Sequence, residues 1–384
     1  MSTSSNLSLC FRRPSAAPST SKETAVIAAS TIPHQLPANH IVIKVDRFGF
    51  SANNITYQAL GEQPHFRSSN YDFHPAPDSG NVSPKTHGLV PVWGFGTVVA
   101  SSHPKINSGE RVYGYLAPCR YLLVPVSPSD VNKHAFYVPL ARISQLIIRC
   151  AADPEYTPTA QGEDLTMLYR PLFWTAYWFE DWMFSSKYRG ATAFLISSAS
   201  AKTAFCAAYL IRKRRSRGES AHVKIVGLTS KRNVEFHKTT VAIRCSDRVR
   251  LVCVKWVYVD VAGNDAFNKR LFNISPTPPT NSSLSPPSLW GMTTLAPDNA
   301  ASFVWASNAG VSPEHQLSVQ EIFRRQKQAW TELMWIAFLG CGWNMFLGTV
   351  AVKKAYDEIA TGGFSPDVGY IWSLWDEKKE GSKL

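Results

Sequence analysis

A chain of 384 residues has room for two domains and a substantial core, and its 45% hydrophobic and 12% aromatic content excludes a disordered polymer. Seven scattered cysteines, odd in number and without a C-x-x-C pair, exclude a disulfide scaffold, argue against a structural zinc lobe and favour reduced thiols inside a cell. The formal charge of +12 suits a polyanionic ligand, a nucleic acid or an acidic membrane surface without choosing among them.

Residues 1–37 are rich in Ser, Thr, Ala and Pro, and read as a partly mobile segment that buries little. They loosely resemble a transit peptide without a clear amphipathic helix, so a cytoplasmic location comes first and a mitochondrial one second. His40–Phe48 alternates and reads as a half-buried strand, followed by a turn and short helix over Ser51–Gly61. Residues 62–87 read as a long loop. Val90–Ala100 reads as a strand pair with glycines where backbones approach, Ser108–Gly114 as a turn entering a strand, and Tyr121–Val126 as another strand. Up to here the pattern is a twisted barrel of short strands. Leu165–Phe184 then reads as a strongly aromatic helix, better suited to a core or interdomain contact than to stacking bases.

The informative stretch begins at Gly190. Ala193–Ile196 is a short apolar run that predicts a buried strand, Ser197–Ala204 is a run of small residues, and Phe205–Ile211 predicts a helix. This is the opening of a βαβ unit, whose first turn aims a helix N-terminus at a phosphate. Ser197, Ser200 and Thr203 occupy the spacing of the usual glycine fingerprint; with Ser198, Ala201 and Lys202 they are the candidate phosphate-turn residues. Hydroxyls there can donate to phosphate oxygens, while easy access to positive φ is lost. Two other readings stay open: a degenerate P-loop through Ala201-Lys202-Thr203, and a plain strand–helix turn with no ligand. Arg212, Lys213, Arg214, Arg215 and Arg217 read as a solvated loop after the helix, or as a positive field near a phosphate-bearing cofactor; with no interleaved aromatic residue, the run argues against nucleic acid.

Val223–Leu228 predicts the second strand, ending in Thr229, Ser230, Lys231, Arg232 and Asn233. An acid at this strand end would hold a ribose 2′-hydroxyl; here polar and basic residues stand instead, as a 2′-phosphate requires. That favours NADPH over NADH. Trp256–Asn264 predicts a further strand ending in Asp260 and Gly263, with Asp260 either facing the cofactor or bonding backbone. Between these strands, 239–254 does not read as helix–strand–helix, and 274–289 is a low-complexity loop. Glu314–Leu333 reads as a charged helix. The uncharged run Trp335–Val352 is short for a membrane span and broken by glycines, which favours a buried helix or helix–strand segment. The C-terminus from Asp376 reads as frayed.

The stretch V-P-V-W-G-F-G-T-V-V-A-S-S-H-P-K-I-N-S-G-E-R-V-Y-G-Y resembles the GroES-like core of medium-chain dehydrogenase/reductases. I-S-S-A-S-A-K-T-A, G-L-T-S-K-R-N and V-D-V-A-G-N fall where that superfamily has its phosphate turn and two later strand ends. With A-N-N-I-T-Y and W-G-F, they resemble most an uncharacterised branch of it, carried as a domain of unknown function. The resemblance covers about residues 40–270 well and the C-terminal part loosely. It implies an α/β fold: a GroES-like β-barrel domain (38–164), a Rossmann-type doubly wound parallel sheet (165–305), shortened or irregular around 239–254, and a segment (306–384) packing back on the first domain. It carries Ser200, Lys202 and Thr203 over as phosphate-turn residues, and Ser230, Lys231 and Asn233 as adenosine-phosphate residues.

Zinc-dependent members need Cys, His and acidic ligands around an open metal position. Here no cysteine lies in the barrel before Cys119, and His65, His74 and His87 lack ligand spacing, so no metal is expected. The zinc-free quinone and enone reductases are the nearer analogy. It implies NADPH, a small-molecule substrate and few protein acids, and places Asn53, Asn54 and Tyr57 near the nicotinamide. Tyr57 then serves a developing enolate oxygen, or else the asparagines cap the short helix and Tyr57 only packs. Trp93 walls the pocket or fills the barrel. A homodimer is left open, and so is a non-catalytic member acting through a partner.

Overall fold

The computed structural model describes residues 6–16, 24–62, 70–139, 144–220, 222–234, 244–245, 256–261, 266–267, 318–340 and 342–376. The chain divides into two units, one of residues 1–168 with 341–384 and one of residues 169–340.

The first unit opens with β1 (Asn6–Arg12) and β2 (Ala25–Ser30), which pair antiparallel. This differs from the expectation for residues 1–37. An averaged Ser/Thr/Pro composition hides the local run Leu-Ser-Leu-Cys-Phe, in which Leu9, Cys10 and Phe11 are fully buried. Residues 1–5 and 17–23 lie outside the described residues.

β3 (His40–Phe50) is long enough to pair with three partners. α1 (Ala52–Ala59) and β4 (His87–Gly88) follow it, and β4 extends the β1–β2 sheet. β5 (Val92–Ser101) is one continuous strand rather than the strand pair read from Val90–Ala100. Its glycines face neighbouring backbone: a Cβ on Gly96 would lie 2.7 Å from the Lys44 carbonyl oxygen. β6 (Arg111–Leu116), β7 (Tyr121–Pro125), β8 (Ala135–Pro139) and β9 (Ser144–Arg149) complete this stretch of sheet. Ile41, Ile43 and Val45 of β3, and Val92 and Val98 of β5, are buried in the core on alternate positions, as strands over a core require.

α2 (Ala160–Ser185) begins in the first unit. Glu163 ties its first turn to the sheet: it accepts two hydrogen bonds from Arg111 (2.9 and 2.6 Å), one from Arg47 (3.0 Å) and one from the Tyr156 hydroxyl (2.9 Å). Bidentate guanidinium pairing of this kind fixes geometry as well as charge.

In the second unit, β10 (Ala193–Ile196) leads into α3 (Lys202–Ser216), then β11 (Lys224–Gly227), β12 (Arg244–Cys245) and β13 (Trp256–Val259). These four strands are parallel, in the order β12-β11-β10-β13. In sequence order that is 3-2-1-4, the first four strands of the doubly wound dinucleotide-binding sheet. The short β12 shows that 239–254, although without the expected pattern, supplies a third strand at Arg244–Cys245; the rest of that stretch lies outside the described residues, as does 274–289.

α3 packs through Ala204, Cys206, Ala207, Ala208 and Ile211, all buried, and these small side chains let the helix lie close on the sheet. It continues to Ser216, so Lys213, Arg214 and Arg215 form its last turn rather than a loop. Cations there complement the negative end of the helix dipole. α2 buries Phe173, Ala176, Phe179 and Met183, and Phe173 meets Trp330 of α4 (Val319–Gly340) at 5.3 Å between ring centroids. The aromatic helix therefore serves a core.

β14 (Gly342–Leu347), α5 (Thr349–Gly362) and β15 (Val368–Ser373) belong to the first unit. The uncharged run Trp335–Val352 is thus the end of one helix, a strand and the start of another. No helix among the described residues is long and apolar enough to cross a membrane. β15 pairs antiparallel with β3 and parallel with β14, so the C-terminal segment returns to the first sheet. The resulting sheet runs β14-β15-β3-β5-β6-β9-β8, with β7 also on β3. Trp372 of β15 is fully buried and stacks on Phe50 at 4.0 Å. The fold is the mixed α/β class with a GroES-like unit and a Rossmann-type unit.

Candidate functional site

The first turn of the parallel sheet runs from Ser197 to Ala201. Its backbone reaches the left-handed region at Ser198, with φ of 46°. That conformation costs a non-glycine residue about 1–2 kcal/mol, so the missing glycine is felt at Ser198. The turn otherwise closes on itself. Ala201 N–H donates to the Ser198 carbonyl at 2.7 Å, and Ala199 N–H donates to the Leu228 carbonyl at 2.9 Å.

The hydroxyls expected at a phosphate have structural partners. The Ser197 hydroxyl donates to Asp260 Oδ1 at 2.9 Å and accepts from Val261 N–H at 2.8 Å. Both side chains are buried, and the pair joins the ends of β10 and β13, where the strand order reverses. Asp260 therefore bonds within the protein at that strand end. The Ser200 hydroxyl lies 2.6 Å from the Thr229 hydroxyl, joining the turn to the end of β11. Thr203 is buried in the first turn of α3. Lys202 directs its ammonium toward the Tyr169 ring, 5.9 Å from its centroid.

The backbone keeps what the side chains give up. α3 has no side-chain N-cap, and its first intrahelical bond runs from Phe205 N–H to the Ala201 carbonyl. The N–H groups of Lys202, Thr203 and Ala204 precede that bond; such groups and the helix dipole suit an anion. One strand over, Ser230 and Lys231 are exposed and form the start of a single turn through Asn233, whose N–H donates to the Ser230 carbonyl at 3.0 Å. The donor set thus fits a dinucleotide: amide donors for a pyrophosphate and an exposed lysine for a 2′-phosphate. Gly263 lies outside the described residues.

The second candidate cluster is in the first unit. Ser51 starts α1, and its N–H donates to Asn54 Oδ1 at 2.8 Å; the Asn54 amide nitrogen donates to the Pro91 carbonyl at 3.0 Å. Asn54 is buried, so it fixes the helix start against the residue just before β5. Asn53 and Tyr57 are half-buried on the same helix. Burial pushes the Tyr57 phenol up, while hydrogen bonding from Asn53 and Tyr115 works the other way. The Tyr57 and Tyr115 rings meet edge-on at 6.1 Å.

Around them stand Phe73, edge-on to Tyr115 at 5.3 Å, and Trp93, 5.1 Å from Tyr115 and stacked at 5.5 Å on Tyr113. Trp93 is half-buried, so it keeps one part in the core and presents another. His74 is buried with Nε2 3.4 Å from the Tyr115 carbonyl oxygen, and burial brings its pKa down to about 4. It is a neutral wall residue. Sequence reasoning missed Tyr115 as a neighbour of Tyr57, because tertiary packing, and no local signal, brings this β6 residue beside α1. His87 bonds Thr86 through Nδ1 at 2.9 Å, and His65 lies outside the described residues. Among the described residues no group of three metal-ligating side chains comes together.

A family model described as "Protein of unknown function (DUF2855)" matches residues 48–365. No curated protein matches the chain. Among solved structures, the chain is similar to CurA from Vibrio vulnificus, with 11% identity and a TM-score of 0.54 over 97% of this chain and 99% of that one. It is similar also to CurA from the same organism in complex with NADPH, with 10% identity and a TM-score of 0.52 over 97% of this chain and 100% of that one. At these identities the likeness is one of fold, and the fold is that of the medium-chain dehydrogenase/reductases.

Proposed function

The chain belongs to the DUF2855 family, and from that premise and its medium-chain reductase fold we propose that it is an NADPH-dependent, zinc-independent oxidoreductase. The substrate class is a quinone, an enone or another compound activated by a carbonyl group. The observation that carries this reading is the joined pair of strand ends: the uncapped start of α3 beside the exposed Ser230–Lys231 turn, linked by the 2.6 Å contact of Ser200 and Thr229. A fold neighbour crystallised with NADPH supports the choice of cofactor.

In this reading the amides of Lys202, Thr203 and Ala204 hold the pyrophosphate, helped by the Lys202 charge. Lys231 and Ser230 hold the 2′-phosphate, and the lack of an acid at that strand end removes the group that would select NADH. Ser197 and Asp260 shape the floor of the crevice rather than touch phosphate. NADPH supplies the hydride when bound. Tyr57 keeps its proton at neutral pH, because burial raises its pKa, and so donates a hydrogen bond to the substrate oxygen as negative charge gathers there. Asn53 orients that hydroxyl, Asn54 fixes the helix that carries it, and Trp93 and Phe73 offer apolar surface to a flat substrate.

Replacing Tyr57 with Phe tests the role of the hydroxyl. Losing one donor to a developing oxyanion costs about 10²–10³ in kcat, while NADPH affinity stays unchanged. Steady-state rates on a panel of quinones and enones, with NADPH affinity measured in parallel, separate the two effects. Full activity of Tyr57→Phe on every accepted substrate would remove Tyr57 from the chemistry. The rival reading, a non-catalytic protein acting through a partner, predicts no turnover of any member of the panel.

A further inference from the structure

The second unit contains a cleft that the reductase reading does not use. It encloses about 450 Å³ between the C-terminal halves of α2 and α3 and the first turns of α4. α3 ties it to the cofactor turn while keeping the two apart: Lys202 opens the helix and Arg214 lies near its other end. At 1.5 Å per residue the separation is about 18 Å.

Its lining carries both charges. One set of groups is acidic. Glu180 and Asp181 of α2 and Glu219, just beyond α3, all converge on Arg214, at 2.8, 2.9 and 3.1 Å. A single guanidinium thus serves three carboxylates and is held further by the Phe184 ring, 3.7 Å below it. Asp181 and Glu219 each accept one hydrogen bond from Arg214, and their side chains are 31% and 35% exposed. A carboxylate accepts about four hydrogen bonds, so both keep capacity on the cleft side.

α4 adds basic groups to the lining. Arg324 and Arg325 of α4 share one carboxylate, Glu321, which lies outside the lining, and both remain about half exposed at 62% and 47%. Arg217 adds a third exposed guanidinium from the end of α3. Tyr177, Phe184, Leu210 and Ala329 also line it. Lys213 of α3 lines the cleft as well, with its ammonium 2.5 Å from Glu332 outside it. The lining is therefore mixed in charge, with carboxylates from α2 and Glu219, exposed guanidinium groups from α4 and Arg217, and aromatic and apolar side chains between them, in a volume typical of small-molecule sites.

We infer that this cleft binds a small zwitterion of the α-amino acid class with a hydrophobic side chain. The ammonium group meets Asp181 and Glu219, the carboxylate meets Arg217, Arg324 and Arg325, and the side chain lies on Tyr177 and Leu210. A purely anionic ligand would leave Asp181 and Glu219 with only the shared Arg214 as partner, and a purely cationic one would meet the exposed guanidinium groups of Arg217, Arg324 and Arg325. A ligand with both charges pairs both sets of groups.

Calorimetric titration of the full chain with L-phenylalanine tests this. The expected result is saturable binding that weakens at least about tenfold for N-acetyl-L-phenylalanine, which lacks the ammonium, and for L-phenylalaninamide, which lacks the carboxylate. Arg217→Gln and Arg325→Gln, exposed positions whose replacement leaves the fold intact by circular dichroism, should each weaken binding several-fold. Asp181→Asn should abolish discrimination against the N-acetyl compound. Lys202→Ala should leave amino-acid binding unchanged while reducing NADPH binding, so failure of the cofactor reading and failure of this one are separately visible. No saturable binding by folded protein, or equal binding of the N-acetyl compound, would overturn the inference and leave the cleft as an ion-pair network that locks three helices.

Discussion

Ser198 carries the strain that a glycine would remove. Its φ of 46° places a Cβ where only glycine is comfortable. Ser198→Gly should therefore raise stability by about 1 kcal/mol, read as a shift in the urea midpoint. A lower midpoint would mean that the Ser198 side chain contributes more than the strain it imposes. Asp164 is a second informative residue. It is 2% exposed, and burial pushes its pKa up to about 6, although Arg47 lies 3.3 Å away. A folded-state pKa above the unfolded one means that the native state holds the extra proton. The associated stability is present below the ordinary aspartate pKa of about 4 and is lost as pH rises through about 6, at roughly 1.4 kcal/mol per pH unit. The Asp164→Asn variant has no such proton to lose. Its urea-unfolding stability relative to the native protein should grow between about pH 4 and pH 6, then level off; a constant difference would contradict the assignment.

The elements show what local sequence can and cannot specify. Gly96 lies where β5 crosses β3, and an added Cβ would also meet Ile43 Cγ2 at 2.5 Å. Gly96→Ala should cost about 1–3 kcal/mol of overpacking, seen by thermal unfolding; an unchanged midpoint would mean that β3 shifts freely there. That close approach was legible, because the glycine-bearing stretch and the following turn are local signals. So were β10, its small-residue turn and α3, where apolar runs and an alanine face sit side by side in sequence. β1 was not. Its burial depends on β2 and β4, partners tens of residues away, and no periodicity announces them. The basic run at the end of α3 looked like a loop because charge was read as exposure, yet Arg214 is caged by three carboxylates. At the candidate site the positions of Ser197 and Ser200 were legible, but not the direction of their hydroxyls, which Asp260 and Thr229 take up.

Across the whole molecule, the medium-chain dehydrogenase/reductase fold persists, while the turn after β10 carries serines and a threonine at the spacing of the glycine fingerprint. Under the proposed function, backbone amides, an exposed lysine and a polar strand end serve the cofactor, while the Ser197 and Ser200 hydroxyls bond Asp260 and Thr229 at neighbouring strand ends. The most direct measurement is titration of the purified chain with NADPH and NADH, followed by energy transfer from tryptophan to the nicotinamide. NADPH should bind saturably and more tightly than NADH. Lys231→Ala should weaken NADPH about tenfold, or about 1.4 kcal/mol, and leave NADH unchanged. Well-folded protein that binds neither nucleotide would contradict the account.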